Sequence, residues 1–429
     1  MLLHTDEQTI EDLRLFSKRD QPGIYDIYNN TSTRGGEAVL EQMFRHPLAD
    51  RDAIVRRARI LGAFAASGAK FPFHAGMLDT VEKYMSQTND NTDGHKPVMG
   101  EKEISNGVSG VITLMHSVKS FVEDGEIRKI PELSAERKEI MALLSDPAFT
   151  PVFNEKPDSK LSFGAVTAYD LLFRNRERAK LKQILNFIYD MDVYMSVALV
   201  ASQRKFVFPL AHPKRTGILK LEGVYHPELK KPVPNSLTMD HRKTVVFLTG
   251  ANMAGKSTFL RSFSTALYIA HMGFPVAARS MEFSVMEGLF TTINLPDNLG
   301  IGASHFYAEV LRVKKMATEL SMGRSLFVLF DELFRGTNVK DAHEGTVAIT
   351  HAFAERKDSM FIISSHIVEA GDALRQKPNI GFHFLPTRMK VTTPEYTYTL
   401  EEGITDDRHG MIIIRNEGIL ETLKNGKKS

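Results

Sequence analysis

The stretch TVVFLTGANMAGKSTFL, Thr244 to Leu260, constrains the fold more than any other part of the 429-residue chain. An apolar run from Thr244 to Thr249 leads into Gly250, and Gly255, Lys256, Ser257 and Thr258 follow ahead of a helix-forming segment. This G-x-x-x-x-G-K-[ST] spacing, set between a strand and a helix, is that of a phosphate-cradling P-loop. Gly250 and Gly255 can take backbone angles closed to other residues, so the amides of Ala251, Asn252, Met253 and Ala254 can turn inward onto phosphate oxygens. Lys256 would reach the β- and γ-phosphates and Ser257 would bind Mg²⁺. The following helix would aim its amino-terminal dipole at the anion.

Two further apolar runs supply partners. LFVLFDE, Leu326 to Glu332, is a buried strand that ends in two carboxylates. Asp331 can hold Mg²⁺ through water, and Glu332 can polarise the water that attacks the γ-phosphate. MFIISSH closes on His366, at the carboxyl edge where ligands sit in parallel sheets. Either a γ-phosphate contact or a solvated strand end accounts for that histidine. Ser304 stands just before the helical segment of GASHFYAEVLRVKKM, where capping alone would explain a serine.

Composition narrows the remaining choices. With no cysteine, disulfides, thiolate metal sites and thiol nucleophiles are excluded. A net charge of +2 means that any nucleic-acid role must rest on local basic patches. No apolar run approaches the ~18 to 20 residues of a membrane span, and the amino terminus lacks a secretory plan, so a cytoplasmic protein without membrane contact is expected.

The first half reads as helical. Apolar residues recur at helical spacing from Gly35 to Phe64, with Pro47 as a break, and the polar stretch Met85 to Gly107 reads as an exposed loop. A long helix is expected from Ala168 to Arg204, with Leu181, Ile184, Leu185, Ile188, Met191, Met195 and Leu199 on one face. Its opening turn holds Arg174, Arg176, Arg178, Lys180 and Lys182 against one acid, Glu177. That run is either a solvated face or a contact to a phosphate backbone. Short β-branched and aromatic runs alternate with helices from about Phe206, so the spacing predicts two domains, 1–205 and 206–429. The fold class expected is a helical domain followed by a P-loop α/β domain with a mainly parallel sheet.

The wording of the motifs resembles the MutS family of DNA mismatch-repair ATPases. TGANMAGKST, DNLGIGASHFYAE (Asp297 to Glu309), DELFRGTN (Asp331 to Asn338) and SSH (Ser364 to His366) occur in that family's order. Echoes lie in YHPEL (Tyr225 to Leu229), VPNSL (Val233 to Leu237) and YTLEEGITDDRHGMII (Tyr398 to Ile413). More faintly, Asn29 to Arg57 looks like the start of the family's helical core and lever region. The resemblance implies an ABC-class ATPase using ATP and Mg²⁺, working as a dimer, with Ser304 as the signature serine that reaches the partner's γ-phosphate. Asn252 matches a family asparagine. DNA is the implied partner.

Departures shape the expectation. Only 28 residues precede Asn29, where full-length mismatch-repair members carry mismatch-reading and connector domains, and the helical half leaves little room for a DNA-gripping clamp. His305 stands where threonine is usual in those members. A homodimeric ATP hydrolase acting on DNA through backbone and shape contacts is therefore expected, without mismatch reading. The alternative is an ATP-driven switch acting on a protein partner. An AAA-type remodeller fits the GASHF and SSH phrases less well, and no LSGGQ-like signature points to a transporter.

Overall fold

A computed structural model describes the chain except residues 19–20, 88–98, 158, 252, 296–304, 391–392, 406–417 and 426–429. The chain forms two compact units. One holds Met1–Tyr25, His46–Ala58 and Arg204–Ser429; the other holds Asp26–Arg45 and Arg59–Gln203. The change at Arg204 lies beside the expected boundary, but residues 1–205 are not one domain. Backbone pairing explains the difference: Leu3 N–H donates to the Pro47 carbonyl (2.9 Å), Leu48 N–H to His271 (2.9 Å) and His4 N–H to Glu287 (2.9 Å).

The second unit is helical. Its helix Arg34–Arg45 buries Gly36, Leu40 and Phe44, one face at four-residue spacing. Pro47 lies between that helix and the next, Arg51–Ser67, as its missing N–H would require. Helices Ala75–Ser86 and Glu101–Glu123 pack closely at Gly107, where a Cβ would stand 2.4 Å from the Tyr84 ring. The polar loop expected to reach Gly107 therefore ends earlier. Gly100 N–H donates to Glu103 Oε2 (3.1 Å), starting the helix at Glu101.

The long helix expected over 168–204 is interrupted. An α-helix at Phe163–Leu171 passes into a π-turn at Leu172–Arg176, and Arg178–Arg204 continues. The extra residue of a π-turn re-aims side chains, and here Arg174 turns inward. Leu181, Ile184, Leu185, Ile188, Met191 and Met195 are buried as expected, while Leu199 is 46% exposed. Arg178–Arg204 is long and apolar enough to cross a membrane, contrary to the run-length expectation, yet 72% of its most apolar window is buried within the protein, as in a core helix.

Asp192, on that helix, accepts from Ser32 N–H, Thr33 N–H and the Thr33 hydroxyl at 2.7 to 3.0 Å. It therefore satisfies amide donors at the start of the helix Arg34–Arg45. Burial raises its carboxyl, and these bonds oppose the rise.

The first unit carries the sheets. Strands β1 (Leu210–His212), β2 (Ile218–Val224), β3 (Asn235–Asp240) and β5 (Ser280–Ser284) form a four-stranded sheet in the order β1-β5-β2-β3. Strands β4 (Val245–Gly250), β6 (Gly288–Thr292), β7 (Leu326–Phe330), β8 (Met360–Ser364), β9 (Ile380–Leu385) and β12 (Glu401–Glu402) form a six-stranded sheet in the order β12-β9-β4-β8-β7-β6. β10 (Thr387–Lys390) and β11 (Thr393–Tyr396) pair as a hairpin. Within the larger sheet every pairing is parallel except β12 with β9. β4, β7 and β8 are buried throughout, which explains their unbroken apolar spelling: a parallel strand covered on both faces has no polar side. The register Leu248↔Ser364 and Phe330↔Ile363 brings the carboxyl ends of β4, β8 and β7 side by side.

Candidate functional site

The loop after β4 is built on left-handed backbone. Gly255 has φ 96°, where a Cβ would stand 2.9 Å from the Tyr398 ring, and the helix Lys256–His271 begins directly after it. Met253, also at positive φ (70°), is exposed at the loop tip. Lys256 is buried and folds back over its own loop, its Nζ donating to the carbonyls of Gly250 (2.6 Å) and Ala251 (3.2 Å). Burial lowers its ammonium pKa, against an upward pull from Glu332 and Asp331.

Asp331 ties three elements together. Its Oδ2 accepts from the Ser257 hydroxyl (2.5 Å), its Oδ1 from the Ser364 hydroxyl (2.7 Å), and its N–H donates to the Thr292 carbonyl (2.8 Å). Burial pushes its carboxyl pKa up, and the two serine bonds oppose that shift. Ser257 and Asp331 thus present oxygen donors to one point, which suits a hard cation that takes one or two protein oxygens and completes its shell with phosphate and water. Among the described residues no cluster of three or more His, Asp or Glu offers a cage built from protein alone.

Glu332 sits at φ 56° and Phe334 at φ 63°, a left-handed conformation that costs non-glycine residues energy. This turn carries Glu332 off the strand direction, where Arg335 pairs with it at 3.1 Å. A cleft of about 200 Å³ opens between these groups, lined by Ser257, Thr292, Asn294, Asp331, Glu332 and Arg335. His366 is exposed two residues beyond β8. Asn252 and Ser304 lie outside the described residues.

A second pocket of about 280 Å³ lies behind the loop, bounded by Val224, His226, Val233, Gly255, Phe259 and Tyr398. Asn235 braces it, donating from Nδ2 to the Tyr398 carbonyl (2.9 Å) and accepting from Leu400 N–H (2.7 Å). Burial pushes the His226 imidazole down to about 4, helped by the nearby charges of Arg261 and Arg14. The segments YHPEL, VPNSL and YTLEEG, far apart in sequence and without a recognisable chemistry of their own, supply His226, Val233, Asn235 and Tyr398 to one pocket. Arg335 belongs to DELFRGTN, and the turn at Glu332 makes it a neighbour of that carboxylate.

The basic run does not form one free face. Arg174 is 7% exposed, makes two 2.6 Å bonds to Asp170 and lies 5.1 Å above the Tyr84 ring. Lys180 pairs with Asp146 (2.6 Å) and Glu177 (2.7 Å), and Arg178 donates to the Met85 carbonyl (3.0 Å). Of these five residues Arg176 and Lys182 are exposed and Arg178 and Lys180 half-buried, while the π-turn directs Arg174 into the protein.

Comparison with known proteins adds an independent line. The family model of MutS domain V matches residues 246–425. The DNA mismatch repair protein MutS of an Exiguobacterium species is 30% identical over 212 residues, 47% of this chain and 24% of that protein. The protein of the same name from Bacillus cereus is 30% identical over 257 residues, 57% of this chain and 28% of the relative. That from Geobacillus thermodenitrificans is 26% identical over 307 residues, 68% of this chain and 33% of the relative. The matched stretches thus amount to about a quarter to a third of the relatives' own lengths. Taken with the strand order and the loop geometry, these matches make this a MutS-related chain that carries MutS domain V in its sheet-bearing unit.

Proposed function

We propose that the chain is a Mg²⁺-dependent ATP hydrolase that uses the nucleotide cycle to drive conformational changes of a homodimer on DNA. The observation that carries this reading is the convergence on Asp331 of Ser257 from the loop and Ser364 from β8, with the buried Lys256 near enough to act on its charge. Residues 250–258 would wrap the phosphates, and Lys256 would exchange the carbonyls of Gly250 and Ala251 for phosphate oxygens. Ser257 and Asp331 would hold the metal, whose charge offsets that of the phosphates. Glu332 would accept a proton from the attacking water, and His366 would contact the γ-phosphate from the end of β8. The pocket bounded by His226, Val233 and Tyr398 would take the base.

Residues 297–309 resemble the family's signature, so Ser304 would act on the nucleotide of the partner subunit and an isolated monomer would hydrolyse ATP slowly. The helical unit would serve as the lever of an ABC-class engine. The relatives are DNA mismatch repair proteins by name, which makes DNA the first partner to test. The contacts would be to backbone and shape, and would weaken steeply with salt. No group in this proposal reads a mismatch.

A second reading is favoured by the internal pairing of Arg174, Arg178 and Lys180: a switch acting on a protein partner. The deciding experiment measures ATP turnover with no DNA, perfect duplex, mismatched duplex and branched DNA at low and moderate salt. Stimulation by any of the three supports the first reading. Turnover without binding or stimulation by any of them supports the second.

A further inference from the structure

The segment Asp6 to Asp12 lies far in sequence from every motif of the site, yet it holds one wall of the carboxylate cleft. Asp12 is 2% exposed, and its carboxylate accepts the Thr291 hydroxyl (2.9 Å), Ile293 N–H (2.9 Å), Asn294 N–H (3.0 Å) and Gln8 Nε2 (2.9 Å). Its carbonyl accepts Arg261 Nε (2.7 Å), from the helix that starts at Lys256. One residue thus touches both the backbone after β6 and the helix that follows the phosphate loop.

Asp6 acts beside it. Burial alone would raise its carboxyl pKa, but Arg312 and Lys315 hold it well below the usual range. Arg312 in turn donates to the Thr292 hydroxyl (3.1 Å) and the Thr291 carbonyl (2.7 Å), while Thr9 Oγ1 accepts Thr291 N–H (3.0 Å). The Thr292 carbonyl receives Asp331 N–H (2.8 Å), so the chain of bonds ends on the metal-binding candidate itself. Covering the edge of β6 needs only the backbone pairing of His4 with Gly288. A buried carboxylate saturated by two amides at the cleft wall is a further commitment, since burying that charge costs energy unless its bonds are fixed.

We propose that Asp12 is a positioning residue for ATP hydrolysis: it fixes the backbone of Ile293 and Asn294 and, through Thr292, sets Asp331 and Glu332 to the geometry turnover requires. The proposal rests on the ATP-hydrolase reading, and its effect belongs to kcat because none of the bonds reaches the phosphate loop amides.

The test uses the full chain. Asp12→Asn keeps the size but leaves a single acceptor oxygen. It should lower kcat about tenfold or more with KM for ATP within about threefold, because small displacements of a reacting geometry cost rate more than binding. Hydrogen exchange at Ile293 and Asn294 should accelerate. Asp12→Glu, which keeps the charge, should recover part of the rate. Gln8→Ala, at a half-buried position, loses its bonds to Asp12 and to the Asn294 carbonyl without threatening the fold, and should show a smaller kcat loss at unchanged KM. Wild-type kcat in both Asp12→Asn and Gln8→Ala, or a rate loss matched by lost ATP binding and lost folded protein, would overturn the proposal. No turnover in the wild-type chain would overturn the hydrolase reading as well, a failure visible before any variant is compared.

Discussion

Two hydrogen-bonded aspartates, Asp192 buried and Asp331 half-buried, show how differently the two units use the same chemical group. Asp192 in the helical unit accepts two backbone amides and a hydroxyl within one short segment, Ser32 to Thr33. Asp331 in the sheet-bearing unit accepts two hydroxyls from elements far apart in sequence, Ser257 and Ser364. Backbone amides are fixed once the helix forms, so Asp192 is committed to holding it. Hydroxyls rotate and can accept as well as donate, so the partners of Asp331 can turn to a cation or a phosphate without unfolding anything. A carboxylate with immobile donors stabilises; one with adjustable donors can take part in a reaction.

The sharpest way to break this contrast is to alter the reactive side. Glu332→Gln should lower turnover about 10²- to 10⁴-fold, the usual worth of a general base, while nucleotide binding persists. Single-turnover assays beside a binding titration would check it, and a surviving rate would remove Glu332 from the mechanism. On the structural side, Asp192→Ala should cost about 1 to 3 kcal/mol for each donor left unsatisfied, read by denaturant unfolding. Turnover per folded molecule should not change. A specific loss of turnover would blur the distinction between the two aspartates.

Acid sharpens it further. Because burial raises the Asp331 carboxyl of the metal-free site, affinity for Mg²⁺ should weaken on the acid side at a higher pH than an ordinary carboxylate near ~4 would dictate, read by metal titration across pH. Stability should also respond, through buried histidines. His271 donates from Nδ1 to the Leu267 carbonyl (2.9 Å), accepts Met286 N–H (3.0 Å) on Nε2, and is held down at about 4 by burial. His226 is likewise depressed. Between pH ~6.5 and 4 the unfolded chain binds protons that the native one refuses, so stability present above ~6.5 is lost on acidification, by roughly 1.4 kcal/mol per pH unit for each histidine. Melting curves across that range test it, and a flat profile down to pH ~5 would contradict the assignment.

The smallest expected effect concerns the basic run. If DNA crosses this surface, Arg176→Ala and Lys182→Ala should each reduce the salt slope of binding by about one, with little change in stability. Arg174→Ala should instead destabilise the helical unit, because it strips Asp170 of a buried partner. Equal effects of all five positions on salt dependence would restore the single basic face expected from sequence.

Motif spacing reaches the parts of the candidate site that are local in sequence. The run G-x-x-x-x-G-K-S places glycines, lysine and serine within eight residues, and an apolar run ending in Asp-Glu marks a buried strand that opens on carboxylates. The parallel sheet was legible because strands covered on both faces leave no polar alternation. The long helix was legible only in part: periodicity finds a face, but it does not register the one-residue insertion of a π-turn, which turns Arg174 inward, and it does not show where the packing against that face stops, which leaves Leu199 exposed on the uninterrupted helix that follows.

The sequence by itself determined a G-x-x-x-x-G-K-S loop between a strand and a helix, a carboxylate-ended strand and MutS-like wording in the family's order, since each is a pattern over a few adjacent residues. Only the tertiary structure decided that Asp12 braces the cleft, that Lys256 is folded onto its own loop, that Arg335 pairs with Glu332, and that the first 25 residues belong with the sheets. Those contacts depend on side-chain direction and on pairings between distant positions, as between Asp12 and Asn294, 282 residues apart. No local spacing records them, because the energy that selects them is released only when the sheet edge and the chain that covers it come together.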